Sequence, residues 1–379
     1  MRILIGSNVH WWNAEAAYAA KIAKLLKEAG HIVFVLTRLG SSNERHLKEL
    51  GLTIVTHFDL NTKNPIKLFI SYRKLKKFLI DERIELINAH RSEGFPLFVL
   101  ASRSFLNNLS QKNLPVIRTR GTTRSIKNHW LNRKMHTDWT DYFITAGEVV
   151  KDRLLKHVNI PQGKLKTVYY PVKCLDLPLK PLRDYRCEFN IEKKSKIIAV
   201  VGRIRSVKGQ RILLKSFSKI LLEFPNLVLL IIYRDTTEYE SEMQKLRSDI
   251  SKLGIESNLR LIPEREDVLH LMEFVDLGII SSIESEVICR VAVEFFSVGT
   301  PVIAFHTGCL PEIIRDGENG LLLKSQTHEE LSKKMSYLLK NPKLCKKFGN
   351  AARRDAEIRF NPQKMLNETL NVFEHFFNR

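Results

Sequence analysis

Two carboxylates, Glu286 and Glu294, stand with seven residues between them in the stretch Ser281-Ser282-Ile283-Glu284-Ser285-Glu286-Val287-Ile288-Cys289-Arg290-Val291-Ala292-Val293-Glu294. The stretch follows the apolar run Leu277–Ile280, and a helix starting near Ile288 and ending at Val298, before Gly299, fits the pattern. Glu294 then falls on the second turn and Glu286 in the turn beside the helix start. Two carboxylates at this spacing can hold one ligand from two levels: one reaches sugar hydroxyls or a positive centre, the other a ribose diol. The helix start faces a phosphate. Carboxylates near a helix start also stabilise the helix itself. Spacing alone favours that simpler role.

A second candidate is Val201-Gly202-Arg203-Ile204-Arg205-Ser206-Val207-Lys208-Gly209. A buried strand ends at a glycine, cations follow, and Gly209 leads into a helix. Arg grips a phosphate bidentately, Lys adds a point charge, and a helix start supplies free amides. A solvated basic turn reads the same way. A third region, Arg118-Thr119-Arg120-Gly121-Thr122-Thr123-Arg124, follows the strand Val116-Ile117. His90 ends the strand Leu86–Ala89 and points to the same edge, with Arg91 and Glu93 after it. Near the N-terminus, Gly6-Ser7-Asn8-Val9-His10-Trp11-Trp12-Asn13-Ala14-Glu15 forms a loop in which Asn13 can cap the first helix. Trp11 and Trp12 either line a ligand site or pack into core or interface.

These residues need elements to carry them. Short β-branched runs alternate with amphipathic stretches: Ile3–Ile5, then a helix Glu15–Ala29 stopped by Gly30, then Val33–Leu36, Leu52–Val55, a basic helix Ile66–Asp81, Leu86–Ala89, Val116-Ile117 and Tyr142–Ile144. The rhythm breaks between Tyr170 and Lys194, where Pro171, Pro178 and Pro181 cluster with lysines. It restarts with Ile197–Val201, a helix Gln210–Glu223, strand Leu227–Ile232, a helix Glu240–Leu253, and strands Leu259–Ile262, Leu277–Ile280 and Val302–Phe305. Helices Leu331–Leu339, Pro342–Arg359 and Pro362–Phe377 close the chain. The alternation predicts an α/β fold with two doubly wound parallel sheets, because apolar strands without polar alternation are covered on both faces. The expected domains are 1–170, a linker and lead-in over 171–194, a second domain over 195–360, and a C-terminal helix over 361–379 that can cross back to the first domain. Ligands of such sheets bind beyond the carboxyl ends of the strands, and two such domains facing each other make a cleft.

At 379 residues the chain can bury a core without disulfides or metals. Its 61 Lys and Arg against 41 Asp and Glu give a net charge of +20, which attracts polyanions, anionic lipid surfaces or phosphorylated substrates. The five cysteines (Cys174, Cys187, Cys289, Cys309, Cys345) are odd in number and lack C-x-x-C spacing, which argues for a reducing compartment. Residues 1–20 do not read as a signal peptide, and no apolar stretch reaches the roughly 18 residues of a membrane span. The expected location is cytoplasmic, with peripheral placement on the inner face of the membrane compatible with the charge.

The chain resembles the retaining glycosyltransferases of family 4, a GT-B group. Their Glu, seven residues, Glu signature matches Glu286 and Glu294. Gly299-Thr300-Pro301-Val302-Ile303-Ala304, Gly308-Cys309-Leu310-Pro311-Glu312-Ile313-Ile314 and Asp316-Gly317-Glu318-Asn319-Gly320-Leu321-Leu322 follow in the family's order. Gly202-Arg203 and Lys208-Gly209 match its diphosphate loop. The close likeness covers about residues 197–325. It implies that Arg203 and Lys208 bind the donor diphosphate, that Glu286 contacts the transferred sugar and Glu294 the ribose, and that Ile262-Pro263-Glu264 lies by the base. Gly202, Val287, Ile288, Cys289 and Arg290 complete the implied donor set, and His10, Asn13, His90, Arg91, Arg120 and Gly121 the implied acceptor or cleft set.

Departures limit the transfer of detail. Val287-Ile288-Cys289 replaces the family's Gly-Phe-Gly, so sugar selectivity does not carry over. Tyr233-Arg234-Asp235 stands where a strand-ending glycine is usual, and the first loop lacks the family's Gly-Gly pair. Arg120 occupies the place of a histidine that many members carry, so no catalytic histidine is assigned. The implied reaction moves a sugar from a UDP-, GDP- or ADP-linked donor to a glycan or lipid-linked acceptor with retention, as in bacterial surface polysaccharide or lipopolysaccharide synthesis. No cofactor is implied, and no Asp-x-Asp stands where a metal would bridge the phosphates. The basic stretch Tyr72–Phe78, with Arg118, Arg120, Arg124, Lys127, Arg133 and Lys134, can form an anionic-acceptor or membrane-facing surface. The rival readings are a nucleotide-sugar epimerase on the same fold and, from the charge, a nucleic-acid-binding protein. The latter lacks recognition-helix, zinc and aromatic ribonucleoprotein motifs, so no nucleic-acid partner is expected. No G-x-G-x-x-G follows the first strand, which disfavours a dinucleotide oxidoreductase.

Overall fold

The computed structural model describes residues 1–58, 60, 62, 64–104, 114–127, 129–158, 160–180, 182–234, 240–284 and 286–377. Pro181, Asp235 and Ser285, each within a stretch read above, lie outside the described residues. The chain divides into two compact units, Met1–Tyr170 with Pro362–Arg379, and Pro171–Asn361.

The first unit runs β1 (Arg2–Gly6), α1 (Ala14–Glu28), β2 (Ile32–Leu36), α2 (Ser42–Glu49), β3 (Thr53–Val55), α3 (Pro65–Asp81), β4 (Leu86–Ala89), α4 (Phe95–Arg103), β5 (Val116–Arg120), α5 (Trp130–Thr137), β6 (Tyr142–Thr145), α6 (Glu148–Val158) and β7 (Leu165–Thr167). Its strands are all parallel, in the order β3-β2-β1-β4-β5-β6-β7. Ile3, Leu4, Ile5, Leu86 and Ile87 are fully buried, as continuous apolar strands between helical layers must be. Asn13 caps α1 as expected, its Oδ1 accepting from Ala16 N at 2.9 Å.

β5 departs from the sequence reading. The strand was read over Val116-Ile117, with the candidate region Arg118–Arg124 following it. It continues through Arg120, all five residues buried, because Thr119 and Arg120 pair with Ile144 and Thr145 of β6. Arg118 is accommodated by its apolar stem and by carbonyl acceptors: its guanidinium lies 4.4 Å from the Phe95 ring centre and donates to the Arg91 carbonyl.

The second unit runs α7 (Tyr185–Glu188), β8 (Ile197–Val201), α8 (Gln210–Leu221), β9 (Val228–Tyr233), α9 (Glu240–Leu253), β10 (Leu259–Pro263), α10 (Val268–Phe274), β11 (Leu277–Ile280), α11 (Arg290–Ser297), β12 (Val302–Phe305), α12 (Leu310–Ile313), β13 (Gly320–Leu323), α13 (His328–Lys340) and α14 (Pro342–Arg359). Its six parallel strands are ordered β10-β9-β8-β11-β12-β13. Residues 171–194 pack on this unit: the Glu273 carboxylate accepts from Leu179 N at 3.0 Å, and Tyr185 donates to Asp267 at 2.9 Å. The last helix, α15 (Pro362–Glu374), belongs to the first unit and packs on α1, burying Met365, Leu366, Val372 and Phe373. Among the described residues no helix is long and apolar enough to cross a membrane.

Both sheets are doubly wound, so each has one point where the strand order reverses: between β1 and β4, and between β8 and β11. Loops leaving neighbouring strands in opposite directions open a crevice there.

Candidate functional site

At the β8/β11 switch point, the loop after β8 meets the loop after β11. Ser281 Oγ donates to the Lys208 carbonyl at 2.8 Å, and Ile283 N to the Val207 carbonyl at 3.0 Å. Across this seam the Lys208 ammonium forms an ion pair with Glu286 Oε1. Ser282 Oγ donates to the same oxygen at 2.6 Å. The side chains of Lys208 and Glu286 are 26% and 13% exposed, so the pair is shielded from most solvent yet within reach of a ligand.

A third loop holds the backbone that carries the carboxylate. After β12, Cys309 N donates to the Glu286 carbonyl at 2.6 Å, and Thr307 Oγ1 to the Ser282 carbonyl at 3.1 Å. The approach requires glycine at Gly308, which has φ +55° and where a Cβ would overlap the Glu286 backbone. Three strand ends thus hold one cation and one carboxylate in register. The arrangement can bind an anion through Lys208 and accept hydrogen bonds from hydroxyls through Glu286.

Ser282 lies within the motif, and the sequence alone assigns it no role. Its position four residues before Glu286, in the turn directly after a strand, was the available signal. Replacing Ser282 by Ala removes one of two donors from Glu286 Oε1 and is expected to lower turnover roughly tenfold. Steady-state kinetics on S282A and S282T check this. Full activity in S282A would leave Ser282 with packing alone.

The other donor-side candidates divide by exposure. Arg203 is exposed, and its carbonyl accepts from Gln210 Nε2 at 2.8 Å; Gly202 N donates to the Ile232 carbonyl at 3.0 Å. Pro263 is exposed at the end of β10, in register with Tyr233. Val287 is half-buried, whereas Ile288 and Cys289 turn their side chains inward and can offer a ligand only backbone. Burial, with the Glu286 carboxylate adding to it, pushes the Cys289 thiol well up. Glu294 does lie on the second turn of α11, where it accepts from Arg290 at 2.9 Å. Arg290 and Glu294 stand four residues apart on the helix and pair along it.

In the first unit several expectations change. His90 lies inside the unit, 3% exposed, with the Tyr18 ring of α1 packed 5.9 Å away, and not at an open edge. Burial, and secondarily Arg118, pushes its pKa down to about 3, so it stays neutral. Arg91 is taken up between Glu15 and Glu93. Asn13 is engaged as the α1 cap, while His10 is exposed and its carbonyl accepts from Ser42 N. Trp12 stacks on His46 at 4.5 Å, a packing role; Trp11 is 52% exposed. Gly121 is half-buried just past β5. Arg118 and Arg120 are buried, which withdraws them from the basic surface expected for an anionic partner; Arg124, Lys127, Arg133 and Lys134 remain exposed.

Comparison with known proteins bears on the family and the fold. The model described as "Glycosyl transferases group 1" matches residues 183–355, and "Glycosyltransferase Family 4" matches 16–174. The chain belongs to the family-4 GT-B glycosyltransferases. This glycosyltransferase is 24% identical over 299 residues to the N-acetyl-alpha-D-glucosaminyl L-malate synthase of Bacillus anthracis, covering 79% of the chain and 70% of the relative. Matches with the first curated relatives span 56 to 70% of their lengths, under two thirds in two of the three. A glycosyltransferase from Rickettsia africae superposes with a TM-score of 0.88 at 20% identity, covering 99% of this chain and 98% of that one. The Anabaena protein HepE, in complex with UDP and glucose, superposes at 0.82 with 17% identity and 99% coverage of both.

Proposed function

We propose that this glycosyltransferase moves a sugar from a nucleotide-diphosphate donor to a glycan or lipid-linked acceptor, with retention at the anomeric carbon, in bacterial surface polysaccharide or lipopolysaccharide synthesis. The observation that carries the reading is the Lys208–Glu286–Ser282 constellation at the β8/β11 switch point. Lys208 and Arg203 would receive the negative charge that develops on the departing diphosphate, and Glu286 would orient the transferred sugar. Glu294 would exchange its Arg290 partner for the ribose hydroxyls. Lys208 and Glu286 pair with one another; the donor would separate them, giving each its own partner. That HepE holds UDP and glucose on the same fold supports a nucleotide-sugar donor. The cations would fill the role a divalent ion has elsewhere, so no metal is needed.

Incubation with UDP-, GDP- and ADP-linked sugars and a bacterial lipid extract, in excess EDTA, tests this. Nucleoside diphosphate is expected from one donor series, and NMR of the product should show the donor's anomeric configuration. An inverted product, or no release from any donor, would overturn the reading. Activity lost in EDTA and restored by Mg²⁺ would overturn metal independence alone.

We further propose that the enzyme works at the cytoplasmic face of a membrane through α3. Ile66, Phe69 and Ile70 are 69%, 58% and 47% exposed on the helix that also exposes Arg73, Lys74 and Lys77, while Leu75 and Leu79 are buried. Apolar anchors beside cations suit an anionic lipid surface. Co-sedimentation should favour phosphatidylglycerol over neutral vesicles and fall with the F69S/K74E variant. Equal, weak binding to both vesicle types would sink the membrane reading.

A further inference from the structure

The chain leaves β5 after Arg120, at the carboxyl edge of the first sheet, the edge where doubly wound folds take up ligands. The segment that follows, Gly121–Thr137, carries Arg124, Lys127, Arg133 and Lys134 and no Asp or Glu. All four cations are exposed. The next carboxylates along the chain are engaged by other groups: Asp138 accepts from Thr137 Oγ1 at 2.7 Å, Asp141 pairs with Arg103 and Glu148 with Lys151.

Within this run stands Trp130, 74% exposed. A tryptophan is seldom so open, because its ring offers a large apolar area to bury. The fold holds the segment without using that ring. Arg120 Nη2 donates to the Arg124 carbonyl at 2.7 Å, and Asn132 Nδ2 to the Lys127 carbonyl at 3.0 Å. The His129 side chain caps α5, and Met135 and His136 are buried beneath it. The backbone is thus fixed while the indole and the cationic heads stay exposed. Arg133 and Lys134 follow Trp130 by three and four residues, so the three share one face of the helix.

This face differs from that of α3. There Ile66, Phe69 and Ile70 form an exposed apolar stripe at helical spacing. Here one ring is set among cations, and the exposed Leu131, next in sequence to Trp130, stands on another side of the helix.

We propose that Gly121–Thr137 docks a negatively charged saccharide, so that the acceptor is an acidic glycan. The C–H face of a sugar ring lies flat on an indole, and carboxylate, sulfate or phosphate groups on neighbouring units meet the Arg and Lys heads. The charge selects an acidic chain over a neutral one. The proposal rests on the reading of this enzyme as transferring to a glycan, and narrows the acceptor.

Calorimetric titration of the full-length protein, without nucleotide, tests it. The probes are an oligogalacturonate and neutral maltoheptaose; the proteins are the parent, W130A, W130F and K127A/R133A. The substituted side chains are exposed, so thermal midpoints should match the parent's. Oligogalacturonate is expected to bind the parent at least about tenfold more tightly than maltoheptaose, to weaken about tenfold in W130A and in K127A/R133A, and to be retained in W130F. Equal affinity for the two saccharides, no oligogalacturonate binding by the parent, or parent-like affinity in W130A or in K127A/R133A would each overturn the proposal. So would phosphatidylglycerol vesicles held by the parent and lost by W130A while oligogalacturonate binding persists, since the ring would then serve a lipid surface. Donor turnover without saccharide binding overturns this proposal alone; saccharide binding without turnover of any donor overturns the transfer reading and keeps the docking surface.

Discussion

Replacing Lys208 by Ala should lower transfer by about 10²–10³-fold, the usual loss when one preorganised donor to a developing charge is removed. Lys208 is held where that charge would form. Its backbone is pinned by Ser281, its ammonium is presented at the switch point, and its ion-pair partner is Glu286. The effect should fall mainly on kcat, because the charge on the diphosphate grows as the sugar departs. E286Q should cost comparably, and the double variant little more than either single change, since two groups acting as a unit are not additive. Steady-state kinetics on the three variants checks this. Parent-like turnover in K208A, with parent-like stability, would remove Lys208 from the chemistry.

The second large effect is on the fold of the site. Gly308→Ala should destabilise the second unit by about 2–5 kcal/mol, combining a left-handed backbone penalty of roughly 1–2 kcal/mol with an overpacking cost of roughly 1–3. At φ +55° the added Cβ would meet the carbonyl and nitrogen of Glu286, neither of which is the far end of a flexible side chain. Relief requires moving the loop that carries Glu286, so activity should fall with stability. Gly317→Ala is the control: its φ is +76°, but nothing lies within 4 Å of its Cβ position, so it should cost only the backbone term. Two units need not unfold together, so the comparison rests on urea midpoints from a probe in the second unit. Equal shifts for both variants would show that close approach at Gly308 is unimportant.

Much of the architecture was legible because it rests on local patterns. Helices Glu240–Leu253 and Pro342–Arg359, and strands Leu277–Ile280 and Val302–Phe305, have the boundaries that apolar spacing and Pro or Gly punctuation predict. Short elements were less visible. β7 and β13 were not read as elements, since a three- or four-residue strand becomes stable only against a neighbour already in place. The family likeness was legible for a different reason: four loops in fixed order encode one site, and their joint spacing is specific even where each piece is weak.

What the sequence determined by itself is the class of fold, the alternation of its elements and the stretch Glu286–Glu294 with its cationic companion loop. Only the tertiary structure decided which members of that stretch face one another. Lys208 and Glu286 are 78 positions apart in the chain, and strand order alone makes them neighbours. The same structure buried Arg118, Arg120 and His90, because a strand's length is set by the hydrogen-bonding edge beside it and not by its own composition. Hydrophobic periodicity reports what a residue prefers locally; partner and burial are long-range outcomes, fixed when β5 meets β6 and the loops of β8, β11 and β12 converge.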